Sequence, residues 1–349
     1  MTIDPWRATC VQVLNYVVND VSTREEAMEI VNRSLDRWEQ FVNLAAGRAA
    51  NGPKQLFLFP EFALTGFPMR ESAAEWIEKA CIQIPGPETE RLQRLAQRHG
   101  IYIGANAYET DPEWPGRYFN CSFLIGPNGD ILLKYKRVNT VHSPSPHDFM
   151  DRFLDRHGIE GAFPVARTEI GNIGMFPCGE IMYPEAARVL MFRGAEVILH
   201  PTNDHGSSDL IAWESAKRTR ASENMVYLIS SNSGGIIGSP PSGFNYGHSK
   251  IIDFNGLTIA NADGPGESTR TSAMIDIMAL RRARQEVGAL NRIARQRIEM
   301  YLPVYQQAHF YPPNSFADEA MDSKQRVNEI MEETMARLNA SGIVLAPDR

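Results

Sequence analysis

The stretch Gly171-Asn172-Ile173-Gly174-Met175-Phe176-Pro177-Cys178-Gly179-Glu180 runs on into Ile181-Met182-Tyr183-Pro184-Glu185. A short apolar strand reaches a cysteine that is followed at once by glycine and an acid. Pro184 and Glu185 then open a helical pattern over 186–192, where proline suits the first turn and an acid suits the N-terminus. A strand turning directly into a helix is an α/β signature. It places Cys178 at an elbow, where unpaired backbone N–H groups and a helix N-terminus favour a thiolate. A thiol in mid-strand has neither aid.

Composition sets the outer limits. With 349 residues and 43% hydrophobic content the chain can bury a large core. A net charge of −7 argues against a nucleic-acid surface or a polybasic membrane patch. No apolar run reaches the roughly 18 residues of a membrane span. The start, Met1-Thr2-Ile3-Asp4-Pro5, lacks a charged and greasy leader, so a soluble cytoplasmic protein is expected. Cys10, Cys81, Cys121 and Cys178 form no Cys-x-x-Cys pair. The first three sit in strand or helix patterns and read as small buried hydrophobes. Histidines without ligand spacing argue against a metal site.

Working outward from the elbow, 8–13 reads as a first strand. Thr23 with Glu26, or Ser22 with Glu25, caps a helix that carries Met28, Val31, Leu35, Trp38 and Val42 at helical spacing. Gln55-Leu56-Phe57-Leu58-Phe59 is apolar on both faces, as in a strand covered on both sides, and it ends in Pro60-Glu61. A carboxylate there needs a partner, and strand ends are where α/β proteins place reacting groups. Helical patterns over 71–81 and 88–98 precede strands over 101–108, 118–125 and 130–138. Pro127-Asn128-Gly129 turns the last two into a hairpin. The hairpin ends in Lys134-Tyr135-Lys136-Arg137, a basic cluster that is either a solvated edge or a source of site charge. Residues 139–164 show little periodicity and read as an irregular loop of the kind that walls a binding site. Further strands are expected over 195–201, 225–231, 247–254, 257–262 and 271–277, with a helix over 208–224. The chain from 280 onward is helical and charged, with a last helix over 317–338.

These pieces taken together resemble the nitrilase or carbon–nitrogen hydrolase superfamily. The resemblance rests on Pro60-Glu61-Phe62-Ala63-Leu64-Thr65-Gly66-Phe67, on Gly129 through Arg137, and on Cys178 with Pro184-Glu185, Arg188 and Gly194-Ala195. It continues in Arg220-Ala221-Ser222-Glu223-Asn224 and in Gly247-His248-Ser249-Lys250-Ile251-Ile252-Asp253-Phe254-Asn255-Gly256. It implies an α/β fold built as a four-layer α-β-β-α sandwich, two stacked mixed sheets with helices outside, over residues 1–280. Residues 281–349 are then a helical extension packing at an oligomer interface, with homodimers or higher homo-oligomers expected. The resemblance also implies a Glu-Lys-Cys triad, with Glu61 on the general base and Cys178 on the nucleophile. At the third position this chain departs from the pattern, because it has Lys136-Arg137 where Arg-Lys is the rule. The pattern lays the lysine's place on Arg137, and strand alternation sends Lys136 and Arg137 to opposite faces, so at most one of them points at the cysteine unless a bulge re-aims the strand. The pocket is expected to draw on Gly179, Glu180, Tyr183, Asn203 and His205.

The implied activity is that of an amidase-type hydrolase with no cofactor and no metal. It would cleave a small carboxamide or carbamoyl compound through a cysteine thioester to give acid plus ammonia or amine. Gly179, in place of a bulky neighbour to the cysteine, favours amides over nitriles. The alternatives are a nitrilase or acyl transferase using the same cysteine, or a non-catalytic binding protein on the same fold.

Overall fold

A computed structural model describes residues 2–47, 52–141, 143–204, 210–238 and 247–347. The chain opens with β1 (Trp6–Cys10), β2 (Leu14–Tyr16) and α1 (Arg24–Gly47), then β3 (Gln55–Leu58), α2 (Ala73–Ala80) and α3 (Pro87–His99). Next come β4 (Tyr102–Thr110), β5 (Tyr118–Ile125), β6 (Ile131–Lys136), α4 (Met150–Ala162), β7 (Val165–Thr168) and β8 (Gly171–Met175). The elbow leads through α5 (Pro184–Phe192), β9 (Val197–Thr202), α6 (Leu210–Asn224), β10 (Tyr227–Asn232) and β11 (Gly235–Ile237). The chain closes with β12 (Lys250–Ile252), β13 (Thr258–Asn261), β14 (Ser272–Ile275), α7 (Ile277–Gln285), α8 (Ile298–Gln307) and α9 (Lys324–Ala340).

Local chemistry sets several of these boundaries. Glu26 N–H donates to Thr23 Oγ1 (3.3 Å) while Thr23 N–H donates to Glu26 Oε2 (3.1 Å), so the capping box before α1 uses the Thr23 pair. Ser72 and Glu75 cap α2 in the same way. Gly100 ends α3 in the left-handed conformation.

Two six-stranded mixed sheets form, ordered β14-β1-β3-β4-β5-β6 and β13-β12-β10-β9-β8-β7, with β11 pairing β2 at one side. In the first, β1, β3 and β4 run parallel and β4, β5 and β6 antiparallel. In the second, β8, β9 and β10 run parallel. The sheets face one another across Leu56, Leu58, Met175, Leu199, Ile229 and Ile251. At Gly104 on β4 a Cβ would stand 2.8 Å from Leu58 Cδ1 of the neighbouring strand and 3.1 Å from Leu199 Cδ1 of the facing sheet, so leucines of both sheets fill the space beside the glycine. Outside the first sheet, α1 buries Val31, Leu35, Trp38 and Val42, and the Trp38 ring stacks on Phe59 at 3.9 Å. Outside the second lie α5 and α6, which bury Ala187, Leu190 and Ala221. The result is the four-layer sandwich.

Three expectations need correction. Residues 139–164 are not an irregular loop throughout, because Ser145 caps a 3-10 turn (Pro146–Phe149) that runs into α4. Phe149 and Phe153 bury against Phe119 and Trp114, a small cluster beside the main core. Within α4 Phe153 is the one large apolar residue that is buried, and Gly158 breaks the helix with φ 63° and ψ −178°, so the helical period is faint. The last helix begins at Lys324, capped by Ser323, and not at 317. Residues 316 and 317 are held instead by Arg117, whose Nη2 donates to Phe316 O (2.7 Å) and Ala317 O (3.1 Å). The helical run from 280 is likewise broken between α7 and α8. Among the described residues no helix is long and apolar enough to cross a membrane.

Candidate active site

Three strands of the two sheets deliver three groups to one place. Glu61 follows β3, Arg137 follows β6 and Cys178 follows β8, so each lies just beyond a strand's C-terminal end. Arg137 Nη1 donates to Glu61 Oε1 at 3.1 Å, and Asn120 Nδ2 donates to the same oxygen at 2.8 Å. The Cys178 thiol interacts with the Glu61 carboxyl, while Glu61 and Arg137 both act on the thiol through their charge. Glu61 is fully buried. Its Oε2 has no other hydrogen-bonded partner among the described residues.

Burial lifts the Glu61 carboxyl to about 7, against the pull of Arg137, the thiol and Asn120. Burial and then the Glu61 charge push the Cys178 thiol above its ordinary range, with Arg137 drawing it back. The elbow therefore holds a thiol at rest and not the thiolate that the turn alone suggests. Burial works against the Arg137 charge, yet Glu61, Cys178 and Glu180 hold its proton more firmly than usual.

Strand alternation separates the two candidate cations. Tyr135 and Arg137 face one side of β6, toward Glu180 and Glu61. Lys134 and Lys136 face the other, where Lys136 Nζ meets Glu109 Oε2 (2.8 Å) and Asp111 Oδ2 (2.9 Å) and lies 5.1 Å from the Phe119 ring centroid. Lys136 is thus engaged in a buried ion cluster away from the thiol.

The cysteine itself sits on a 3-10 turn (Cys178–Met182) between β8 and α5, with φ 46°. A left-handed conformation in a non-glycine residue costs about 1–3 kcal/mol. His200 on β9 offsets part of that, since its Nε2 lies 2.9 Å from Cys178 O and its Nδ1 2.9 Å from Ser230 Oγ. A carbonyl only accepts, so Nε2 carries the proton and Nδ1 accepts from the serine hydroxyl. Burial and nearby Lys217 depress His200 to about 4, which keeps it in that neutral form.

Glu180 is fully buried and clamps the chain beyond β6. Its Oε1 accepts from Tyr135 Oη (2.9 Å), Val138 N–H (3.1 Å) and Asn139 N–H (2.9 Å). Asn139 O in turn accepts from Arg137 Nε at 2.9 Å. Glu180 therefore reaches the arginine through backbone, its Oε1 held by the scaffold while its Oε2 has no hydrogen-bond partner among the described residues. Tyr183 caps α5 and is 47% exposed, outside this hydrogen-bonded cluster. Asn203 is buried just after β9, and His205 lies outside the described residues.

Several site neighbours escape a reading of the sequence. Asn106 Nδ2 donates to Asn120 Oδ1 (2.6 Å) and to Ser122 Oγ (3.1 Å), so an amide relay orients the Asn120 donor toward Glu61. Asp204 accepts from Thr202 and pairs with fully buried Lys217, and its charge is felt by both Glu61 and Cys178. Tyr108, stacked on Phe62 at 5.5 Å, lies in the field of Glu61 and Arg137. A polar residue inside an apolar strand is the one available signal for Asn106 and Asn120. Among the described residues no group of three or more His, Cys, Asp or Glu is placed to hold a metal ion.

An acid, a thiol and a fixed cation on this sandwich invite comparison with known proteins. The chain is 26% identical over 278 residues to an omega-amidase, NIT2, of Xenopus tropicalis, covering 79% of this chain and 91% of that one. A formamidase of Bacillus thuringiensis is 26% identical over 206 residues, 59% of this chain and 57% of the relative. Among solved structures, Nit3 of Saccharomyces cerevisiae, a member of the nitrilase superfamily, superposes with a TM-score of 0.63 at 21% identity, covering 84% and 97% of the two chains. An amidase mutant from Nesterenkonia sp., with the acetamide moiety of fluoroacetamide added covalently at its active-site cysteine, superposes at 0.58 and 19% identity, covering 85% and 96%. The sequence model of the carbon–nitrogen hydrolase family matches residues 24–285. The chain belongs to that family, and it is an enzyme of the carbon–nitrogen hydrolase class.

Proposed function

We propose that the protein hydrolyses a small carboxamide or carbamoyl compound through a thioester on Cys178. The convergence of Glu61, Arg137 and the Cys178 thiol carries this reading. A carboxyl lifted to about 7 is matched to exchange protons near neutrality. Glu61 takes the thiol proton as the sulfur adds to the amide carbon. The developing oxyanion meets the Gly179 N–H and the Arg137 guanidinium, and one such donor is worth about 3 kcal/mol. Protonated Glu61 gives its proton to the departing nitrogen, leaving acyl-Cys178 and ammonia or an amine. The same carboxylate then deprotonates water, which attacks the thioester and releases the acid.

Arginine fits this scheme because its part is charge and hydrogen bonding, not proton transfer. Each proton moves through Glu61. The kinship with proteins named omega-amidase, formamidase and amidase supports amides over nitriles. We propose further that the enzyme works as a homodimer, since α8 buries no residue within one chain although it carries Met300, Leu302, Val304 and Tyr305.

The test is ammonia release from a panel of short carboxamides, carbamoyl compounds and nitriles, with intact mass on the quenched enzyme. Wild type is expected to release ammonia from at least one amide and to gain acyl mass on Cys178. Cys178→Ala and Glu61→Gln are expected to lose turnover, and Cys121→Ala, buried away from the cluster, to keep it. Full activity in Cys178→Ala would sink the proposal.

A further inference from the structure

We infer that Gly179 is a positioning residue whose missing side chain is what allows an arginine, rather than a shorter cation, to reach Glu61. A Cβ on residue 179 would stand 2.8 Å from Arg137 Nη2, a separation that side chains do not tolerate, and 3.9 Å from the Trp213 ring. The backbone makes no such demand. Gly179 lies outside the left-handed region, on a 3-10 turn that any residue can adopt. The glycine is therefore explained by its neighbour and not by its own φ.

Arg137 has no cheap way to move aside. Nε is tied to Asn139 O at 2.9 Å and Nη1 to Glu61 at 3.1 Å, and the residue is 8% exposed. Asn139 is itself fixed by Glu180, and Trp213 Cη2 lies 3.9 Å from the same Cβ position. A methyl group at 179 must push the planar guanidinium as a unit, since its three nitrogens cannot move independently. The hydrogen bond from Nη1 to Glu61 is the first to break under that push. Lysine, ending in a single nitrogen with no second arm over residue 179, would leave that space open. Arg137 and Gly179 thus form a coupled pair, and the exchange of the usual lysine for arginine is complete only with the glycine beside it.

This inference rests on the hydrolytic reading for its kinetic arm but not for its chemical one. The experiment is a double-mutant cycle on the full chain, with wild type, Gly179→Ala, Arg137→Lys and the double variant. Amide turnover and the rate of Cys178 alkylation by iodoacetamide are each followed against pH. In the wild-type background Gly179→Ala is expected to lower kcat about tenfold or more with KM within about threefold, because the loss is in the charge arrangement. Its alkylation profile should shift upward by about one pH unit, as Glu61 and the thiol lose their cation. In the Arg137→Lys background the added methyl is expected to change either readout by less than about twofold, giving a large coupling between two touching sites. Equal cost of the methyl in both backgrounds, or no cost in wild type, would overturn the pairing. Should wild type turn over no amide, the alkylation cycle still decides the matter, and the hydrolytic reading fails separately.

Discussion

At the scale of single residues, Glu61 sets two opposite pH dependences. Burial raises its pKa from the ordinary 4.5 to about 7, so the folded state holds the proton more tightly than the unfolded chain does. Its contribution to stability is then fully present below pH 4.5 and is lost as pH rises through about 7. Over the same window the carboxylate becomes competent to take a proton, so kcat/KM is expected to climb with a midpoint near 7 while the melting temperature falls. Melting curves of wild type and Glu61→Gln across about pH 5–8 isolate the group, because buried Asp148, lifted to about 6, contributes with the same sign to both proteins. A flat difference between the two curves would show that Glu61 is ionised throughout. Glu180 yields a second expectation. Gln at 180 keeps an oxygen to accept from Tyr135 and the two N–H groups, whereas Ala strands them in the interior. Glu180→Ala should therefore cost about 2–4 kcal/mol in urea unfolding and Glu180→Gln less than about 1.5 kcal/mol. Glu61 and Cys178 are legible in the sequence because an acid and a thiol at the ends of apolar strands are costly to place idly. Asn120 and His200 are not, since one amide or imidazole in a strand pattern has no period and no fixed spacing to its partner.

At the scale of elements, β6 shows how a period of two sorts chemistry. The alternation in Lys134-Tyr135-Lys136-Arg137 is readable and sends Lys134 and Lys136 to one face and Arg137 to the other. Which face holds the thiol depends on the register against β5, where Cys121 pairs with Lys136 and Arg137 N–H donates to Asn120 O. That register follows from pairing between strands and is invisible to either strand alone. The two neighbours should part company under mutation. Lys136→Met removes a partner from Glu109, which is 1% exposed, and is expected to destabilise the protein by about 3 kcal/mol while turnover stays within about threefold. Arg137→Met should do the reverse at the site, abolishing turnover. A Lys136→Met protein that is stable but inactive would place the working cation on the wrong side of the strand. α4 escapes the sequence for a related reason, as its burial is set by Phe119 of β5 and by Ala317 of the tail, and its single phenylalanine is too little to announce a helix.

At the scale of the molecule, the sandwich brings β3, β6 and β8 together from two sheets, which no local pattern encodes. The layered alternation can be read, but the closeness of the faces at Gly104 cannot. The tail divides into a part used within the chain and a part that is not. Residues 314–317 bind the turn at 147–149, through Asn314 N–H to His147 O (2.9 Å) and Phe316 N–H to Asp148 O (3.0 Å), and α9 buries Val327, Ile330 and Leu338. α8 instead leaves Met300 74% and Val304 69% exposed, with Tyr305 Oη donating to Glu185 at the start of α5. Phe192 at the far end of α5 is 49% exposed, so α5 as well as α8 carries apolar side chains that one chain does not cover. Apolar surface is costly to leave in water at about 25 cal/mol per Å², and the homodimer proposed above would cover it. A two-fold axis beside α5 would let the same patch cover itself, and α5 begins directly after the turn that carries Cys178, so the association would also brace the elbow. Light scattering on the full chain at micromolar concentration is expected to give twice the 39.1 kDa of one chain, and Leu302→Glu with Val304→Glu to return it to one. The charged variant should lose activity together with its partner, because the turn carrying Cys178 then rests on an unsupported helix. A fully active monomer would show that the exposed face serves some other purpose and that the elbow is held by His200 and the core alone.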